Sequence, residues 1–243
     1  MNKEIGQNIV NKKIRYDLEI IASLVKKNSR VLDIGCSEGE LLYFLKHQKN
    51  ANCRGIEILQ EKVSKALARG LSVIQGSADE DLHYYPSQAF DYTILSHTLQ
   101  ATKKPKEVLQ EMLRISKYAI VSLPNFAHYK NRLHLAIKGT MPVNKNIPFQ
   151  WFETPNIHFC SIKDFEKLCA DLNFKIEQKI FLNNKIKLPP FLNKTLFANV
   201  FAQYGIFLIS KKEFSITAQE NFINNETKSL VLNDALISSF SGK

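Results

Sequence analysis

Two carboxylates and two glycines, Asp33, Gly35, Gly39 and Glu57, stand at a spacing that suits the binding of a small polar ligand. Asp33, Gly35 and Gly39 belong to RVLDIGCSEGELLY, residues 30–43, with Cys36 and Ser37 inside the turn. The apolar, β-branched run Val31, Leu32, Ile34 reads as a strand. The glycines bracket a tight turn, and Glu40 to Leu45 resumes at helical spacing. Glycine lets a ligand approach the backbone, and a helix N-terminus offers free N–H groups to it. A dinucleotide fold would carry G-x-G-x-x-G, whereas here the pattern is Asp33-x-Gly35-x-x-x-Gly39. An acid at the strand end repels a pyrophosphate and suits a ligand with an ammonium group.

The methionine end of S-adenosylmethionine carries such a group. A second strand, CRGIEI, ends at Glu57, about twenty residues past the turn. A carboxylate there can accept both hydroxyls of a ribose, with Ile58 beside it. A third strand, SVIQGS, leads to Ser77, Ala78 and Asp79, where an adenine amino group can be read. A fourth, Phe90 to Ser96, ends in Ser96-His97. All these positions fall at the carboxyl ends of neighbouring strands, where open α/β sheets bind ligands. The sequence here resembles class I S-adenosylmethionine-dependent methyltransferases. That resemblance implies S-adenosylmethionine or S-adenosylhomocysteine as cofactor, held by Asp33, Gly35, Cys36, Gly39, Glu57, Ile58, Ser77, Ala78, Asp79 and Ser96. Methyl transfer from a sulfonium depends mostly on alignment, and a base is needed only for a weak nucleophile. His97 is the candidate for that base; a lone histidine is also an ordinary structural residue.

The elements that must position these groups alternate. An amphipathic helix, Ile14 to Val25, precedes the first strand with Ile14, Leu18, Ile21 and Val25 on one face. Leu59 to Arg69 reads as the second crossover helix and Lys104 to Ser116 as another, followed by a fifth strand, Tyr118 to Leu123. Phe126 to Lys138 reads as a helix with Tyr129, Leu133, Ala136 and Ile137 on its apolar side. Residues 139–161 form a long, proline-bearing, aromatic insertion that holds Trp151. Ile162 to Phe174 is helical. Lys175 to Phe181 and Val200 to Ser210 are the last strands, an antiparallel pair with a loop or short helix between them. The expected architecture is a Rossmann-like α/β fold, a mostly parallel seven-stranded sheet with helices on both faces. One domain spans residues 1–211, and residues 212–243 read as a mobile tail.

Composition narrows the classes. A chain of 243 residues, 44% hydrophobic, can bury a full core. No run approaches the ~20 apolar residues that span a bilayer, and the N-terminus shows no secretory h-region. The four cysteines form no C-x-x-C pair or His/Cys metal cluster, as expected of a reduced, cytoplasmic protein. The net charge of +10 invites a nucleic-acid partner, but the lysines are scattered, the pattern of a solvated surface.

The resemblance narrows further on VIQGSADEDL, FDYTILSHTLQATKKPKEVLQEMLRI, SLPNFAHYKNRL, GTMPV and PFQWFETPNIHFCS. Together with the first turn, these segments resemble the MetW family of methionine-biosynthesis proteins over residues 12 to 212. The family pattern departs at Ser37, where glycine is common, and at Ser77, where aspartate is. The resemblance implies a homoserine O-acyltransferase as partner. The chain has no G-x-S-x-G nucleophile elbow of its own, so it is not expected to be that acyltransferase. Three readings follow: a cofactor-binding subunit with the aromatic insertion as partner surface, an active small-molecule methyltransferase with the insertion as lid, and, on charge alone, an RNA methyltransferase.

Overall fold

The computed structural model describes residues 14–144, 147–189, 191 and 194–212. Of the expected tail, 212–243, all but residue 212 lies outside them. The chain alternates helix α1 (Tyr16–Leu24), β1 (Arg30–Ile34), α2 (Glu40–Lys49), β2 (Asn52–Glu57), α3 (Gln60–Ala68), β3 (Val73–Gln75), β4 (Phe90–Ser96), α4 (Pro105–Ile115) and β5 (Ser116–Pro124). It then runs through α5 (Tyr129–Lys138), α6 (Ile162–Asp171), β6 (Phe174–Asn183), β7 (Ile186–Lys187), α7 (Thr195–Phe201) and β8 (Tyr204–Lys211). The sheet order is β3-β2-β1-β4-β5-β8-β6-β7. β1 to β5 are parallel, and β8 slots in antiparallel between β5 and β6. The switch in direction at β1, which pairs with β2 on one side and β4 on the other, opens a crevice at the carboxyl ends.

Helices cover both faces, so the central strands are apolar throughout instead of alternating. Leu32, Ile34 and Leu95 face one side with Leu109, Met112, Phe165 and Phe207, while Val31 and Ile94 face the other with Ile21, Leu45 and Ile120. The face of α1 carrying Leu18, Ile21 and Val25 is buried as its periodicity requires. Phe207 is fully buried, its ring 4.6 Å from Phe165 and 5.9 Å from Phe181.

Three local outcomes differ from the expected pattern. An eighth strand, two residues long, pairs with the end of β6 after a turn at Asn184, which takes a left-handed φ of 55°. The expected strand start at Val200 is helical instead. Asn199 explains this: its carbonyl accepts the Asn125 amide (3.0 Å) and its side chain accepts the Lys163 N–H (3.2 Å), so α7 is pinned to β5 and α6 before β8 begins. Finally, α5 is amphipathic, but among the described residues little covers its apolar side. Leu133 and Ile137 are exposed, the latter by 73%.

The aromatic insertion has no helix or strand among its described residues. It is tied down by the Asn144–Ile147 backbone pair (2.9 and 3.1 Å) and by the N–H groups of Ile157 and His158 on the Gln100 carbonyl (2.9 and 3.0 Å). Phe159 packs on Phe126 at 4.2 Å, while Trp151 remains 69% exposed. No helix among the described residues is long and apolar enough to cross a membrane.

Emptying the Phe207 site would leave a cavity where three rings meet. Phe207→Ala is expected to cost about 3–5 kcal/mol, read as a lowered urea midpoint at unchanged slope.

Candidate functional site

The turn after β1 is built from backbone constraints first. Gly35 and Gly39 hold φ of +74° and +79°, and Ser37 between them holds +52°. The N–H groups of Gly35 and Cys36 donate to the Ile56 carbonyl (2.8 and 3.1 Å), which locks the turn to β2. A Cβ on Gly35 would lie 2.7 Å from Thr98 Oγ1, and one on Gly39 would collide with Leu71. Glu57 then clasps the turn from β2. One carboxylate oxygen accepts the Ser37 N–H (2.9 Å) and the other accepts the Leu59 N–H (3.0 Å). The non-glycine left-handed conformation at Ser37, costly in isolation, is thereby held by a charge-assisted hydrogen bond.

Asp33 sits beneath this turn, 3% exposed. Burial, reinforced by the nearby Glu57 carboxylate, pushes its pKa up to about 7. The same burial, with Asp33 and Glu57 adding to it, drives the Cys36 thiol far above its ordinary range, so it is inert as a nucleophile. Above Asp33 opens a cavity of about 260 Å³, lined by Gly35, Cys36 and Ser37 from the turn, Ser96 at the end of β4 with His97 just after it, and Leu18 of α1 with Arg15 just before that helix.

His97 adopts φ of 54°, an uncommon conformation for a residue with a bulky side chain. Its N–H donates to the carbonyl (3.0 Å) and hydroxyl (3.2 Å) of Ser122 on β5. Its Nε2 lies 3.3 Å from Asp17 Oδ2, and its ring meets Tyr204 edge-on at 5.0 Å. Asp17 is in turn gripped by the Arg15 guanidinium through two bonds (3.2 and 2.8 Å). Burial opposes its charge, but the hydrogen bonds from His97 and Arg15 outweigh it and hold the carboxyl well below the usual range.

Thus Asp33, Gly35, Cys36, Ser96 and His97 line one cleft. Gly39 and Glu57 support the turn from behind. Ile58 is exposed just beyond β2. Ser77, Ala78 and Asp79 lie on the turn after β3 and do not line the cleft. The Asp79 carboxylate accepts the N–H groups of Lys103 and Lys104 (3.0 and 2.9 Å) and so caps the start of α4. Asp81, which the sequence did not single out, fixes that turn by accepting the Ser77 N–H at 2.7 Å. Arg15, Asp17 and Tyr204 were also missed. They are ordinary in type and spacing, and only the docking of α1 and β8 brings them to His97. Among the described residues no group of three His, Cys, Asp or Glu side chains could hold a metal ion.

The raised pKa of Asp33 has a stability consequence. The neutral carboxyl is the form that folding favours, so the stability it carries below about pH 4 is lost as pH rises toward about 7. Asp33→Asn mimics the neutral form. It is expected to raise the melting temperature at pH 8 and to change it little at pH 4, measured by calorimetry at both values.

A family model for the methionine biosynthesis protein MetW matches residues 15–209. The chain is 34% identical over 177 residues to a bifunctional methionine biosynthesis protein MetXA/MetW from Rhodopirellula baltica, a match spanning 69% of this chain and 28% of that one. The chain therefore covers about a quarter of the length of that relative. Among solved structures, an S-adenosylmethionine-dependent methyltransferase from Mesorhizobium loti superposes with a TM-score of 0.60 at 14% identity, covering 81% of this chain and 98% of that one. Another from Archaeoglobus fulgidus gives 0.52 at 18% identity, covering 80% and 94%. These likenesses establish the fold as that of the class I methyltransferases, and by the match over residues 15–209 the chain belongs to the MetW family of methionine biosynthesis proteins.

Proposed function

We propose that this chain is a methionine-biosynthesis subunit that binds S-adenosylmethionine or S-adenosylhomocysteine and supports a homoserine O-acyltransferase. The buried Asp33 carboxylate carries this reading. Burial and Glu57 both work against its charge, so the site gains most from a ligand that brings an ammonium group to it. The turn over Asp33 and the adjoining cleft would hold the amino-acid end of the cofactor. The ribose and adenine would extend past Glu57 and Ile58. The ribose can engage Glu57 only in competition with the N–H groups of Ser37 and Leu59 that the carboxylate already accepts.

The partner reading rests on two observations. The Rhodopirellula relative carries a MetW part and a MetXA part in one protein. In this chain the exposed Trp151 and Phe152, whose rings meet edge-on at 5.6 Å, offer apolar surface that a separate partner could cover.

A second reading, an active small-molecule methyltransferase, is favoured by one observation: His97 is held in a strained backbone and oriented by Asp17 at the mouth of the cleft. In it the cleft above Asp33 would hold S-adenosylmethionine, which would supply the methyl group, and His97 would take the acceptor's proton.

Calorimetric titration with both cofactor forms tests the first element. Because the ammonium favours ionised Asp33, while the ligand's α-amino group itself loses its proton near pH 8, affinity is expected to rise about fivefold between pH 6 and pH 7.5 and to be lost in Glu57→Ala. Absence of binding, or binding indifferent to Glu57, would overturn the site. Co-purification with homoserine O-acyltransferase is expected to fall sharply in Trp151→Ala, and an unchanged complex would remove the insertion as the interface. Under the second reading, His97→Ala leaves cofactor binding intact and lowers S-adenosylhomocysteine production at least tenfold.

A further inference from the structure

A second cavity, of about 320 Å³, opens where β5 ends and α5 begins. It shares no lining residue with the cleft above Asp33. Tyr204 stands at the junction: it pairs with Pro124, which lines this cavity, and its ring meets His97, which lines the cleft.

The cavity is pre-formed by its own buried hydrogen bonds. The Asn125 amide donates to the carbonyls of Asn199 (3.0 Å) and Ala202 (2.7 Å), and its oxygen accepts the Ala127 N–H (3.1 Å). The Asn131 amide donates to the Phe126 carbonyl (3.1 Å) while its oxygen accepts from Asn144 (2.9 Å). With these amides already satisfied, the shape of the wall does not depend on an occupant.

Among the described residues no aspartate or glutamate lines the cavity, whereas Lys130, His128 and His134 do. His128 and Lys130 come from the N-terminal turn of α5, where the helix dipole favours negative charge. His128 is only 4% exposed, and burial, with Lys130 adding to it, lowers its pKa below the ordinary value. Its Nδ1 accepts the Lys130 N–H at 3.3 Å, which leaves the proton of the neutral ring on Nε2. That buried N–H has only a weak contact with the Phe201 carbonyl and no well-formed partner. A buried donor in this state calls for an acceptor.

The geometry points to a second small-molecule site in this cavity, one that takes a monoanionic carboxylate of metabolite size. The size is within the lower range of ligand pockets, about 300–1,000 Å³. Among the described residues the lining holds one lysine and no arginine, which matches a single negative charge better than a phosphate dianion. The site is independent of the cofactor cleft and of the proposed function, since none of its lining residues is invoked there.

The test is an NMR titration of the isotope-labelled full chain with N-acetylglycine, alongside its neutral amide, sodium chloride at equal ionic strength, and inorganic phosphate. Saturable shifts are expected at the backbone of Lys130, Asn131 and Gln203 and at the His128 ring, with N-acetylglycine alone. Lys130→Met, an exposed position whose loss leaves the fold intact, is expected to weaken the apparent Kd about tenfold, while Asp33→Asn leaves it unchanged. Equal shifts with chloride or the neutral amide, a preference for phosphate, or indifference to Lys130→Met would each overturn the assignment. Failure of cofactor binding with these shifts intact would count against the proposed function only.

Discussion

The arrangement depends on one carboxylate, Glu57, accepting two backbone N–H groups from opposite sides. Through Ser37 it holds the left-handed residue of the glycine turn; through Leu59 it anchors the start of the connection to α3. Its charge also sits close enough to the buried Asp33 to help keep that carboxyl near pH 7 in its titration. The same group therefore shapes the turn and sets the electrostatics beneath it. Remove it and Ser37 has no reason to stay at φ of 52°, while Asp33 loses the neighbour that resists its ionisation.

Around this point the sheet works as a frame with distinct ends. The parallel strands bring the turn after β1, the end of β4 and α1 into one crevice, where Asp33 and His97 are placed by different elements and by different means. Asp33 is placed by strand register alone. His97 is placed by Ser122 beneath, Asp17 at its side and Tyr204 against its ring. Further along the sheet, the end of β5 and the start of α5 form a separate polar chamber with an opposite character, basic where the first is acidic.

The glycine turn and the alternation of strands and helices were legible in the sequence because their signals are local: a β-branched run, glycines at fixed spacing, apolar residues at helical period. The partners of His97 were not, because Asp17 lies on the polar side of an amphipathic helix and looks like any solvated acid until α1 docks. Asp79 has a structural role that its type alone did not reveal. Its type suited a ligand contact, yet two N–H groups at the start of α4 occupy its carboxylate, a capping role invisible from spacing. Helical periodicity likewise marked Leu133 and Ile137 as an apolar side without revealing whether anything covers them. At Val200, a β-branched residue suggested a strand where Asn199 holds the chain in a helix.

The exposed side of α5 and the aromatic insertion also bear on the behaviour of the chain as a colloid. Ile137, Trp151 and Phe152 give copies of the molecule a sticky surface at high concentration. The net charge of +10 supplies the opposing repulsion. That repulsion weakens as the screening length shortens, to about 3 Å at 1 M salt, and apolar attraction does not. Added salt therefore tips the balance toward self-association, and dilute buffers of low ionic strength keep the chains apart.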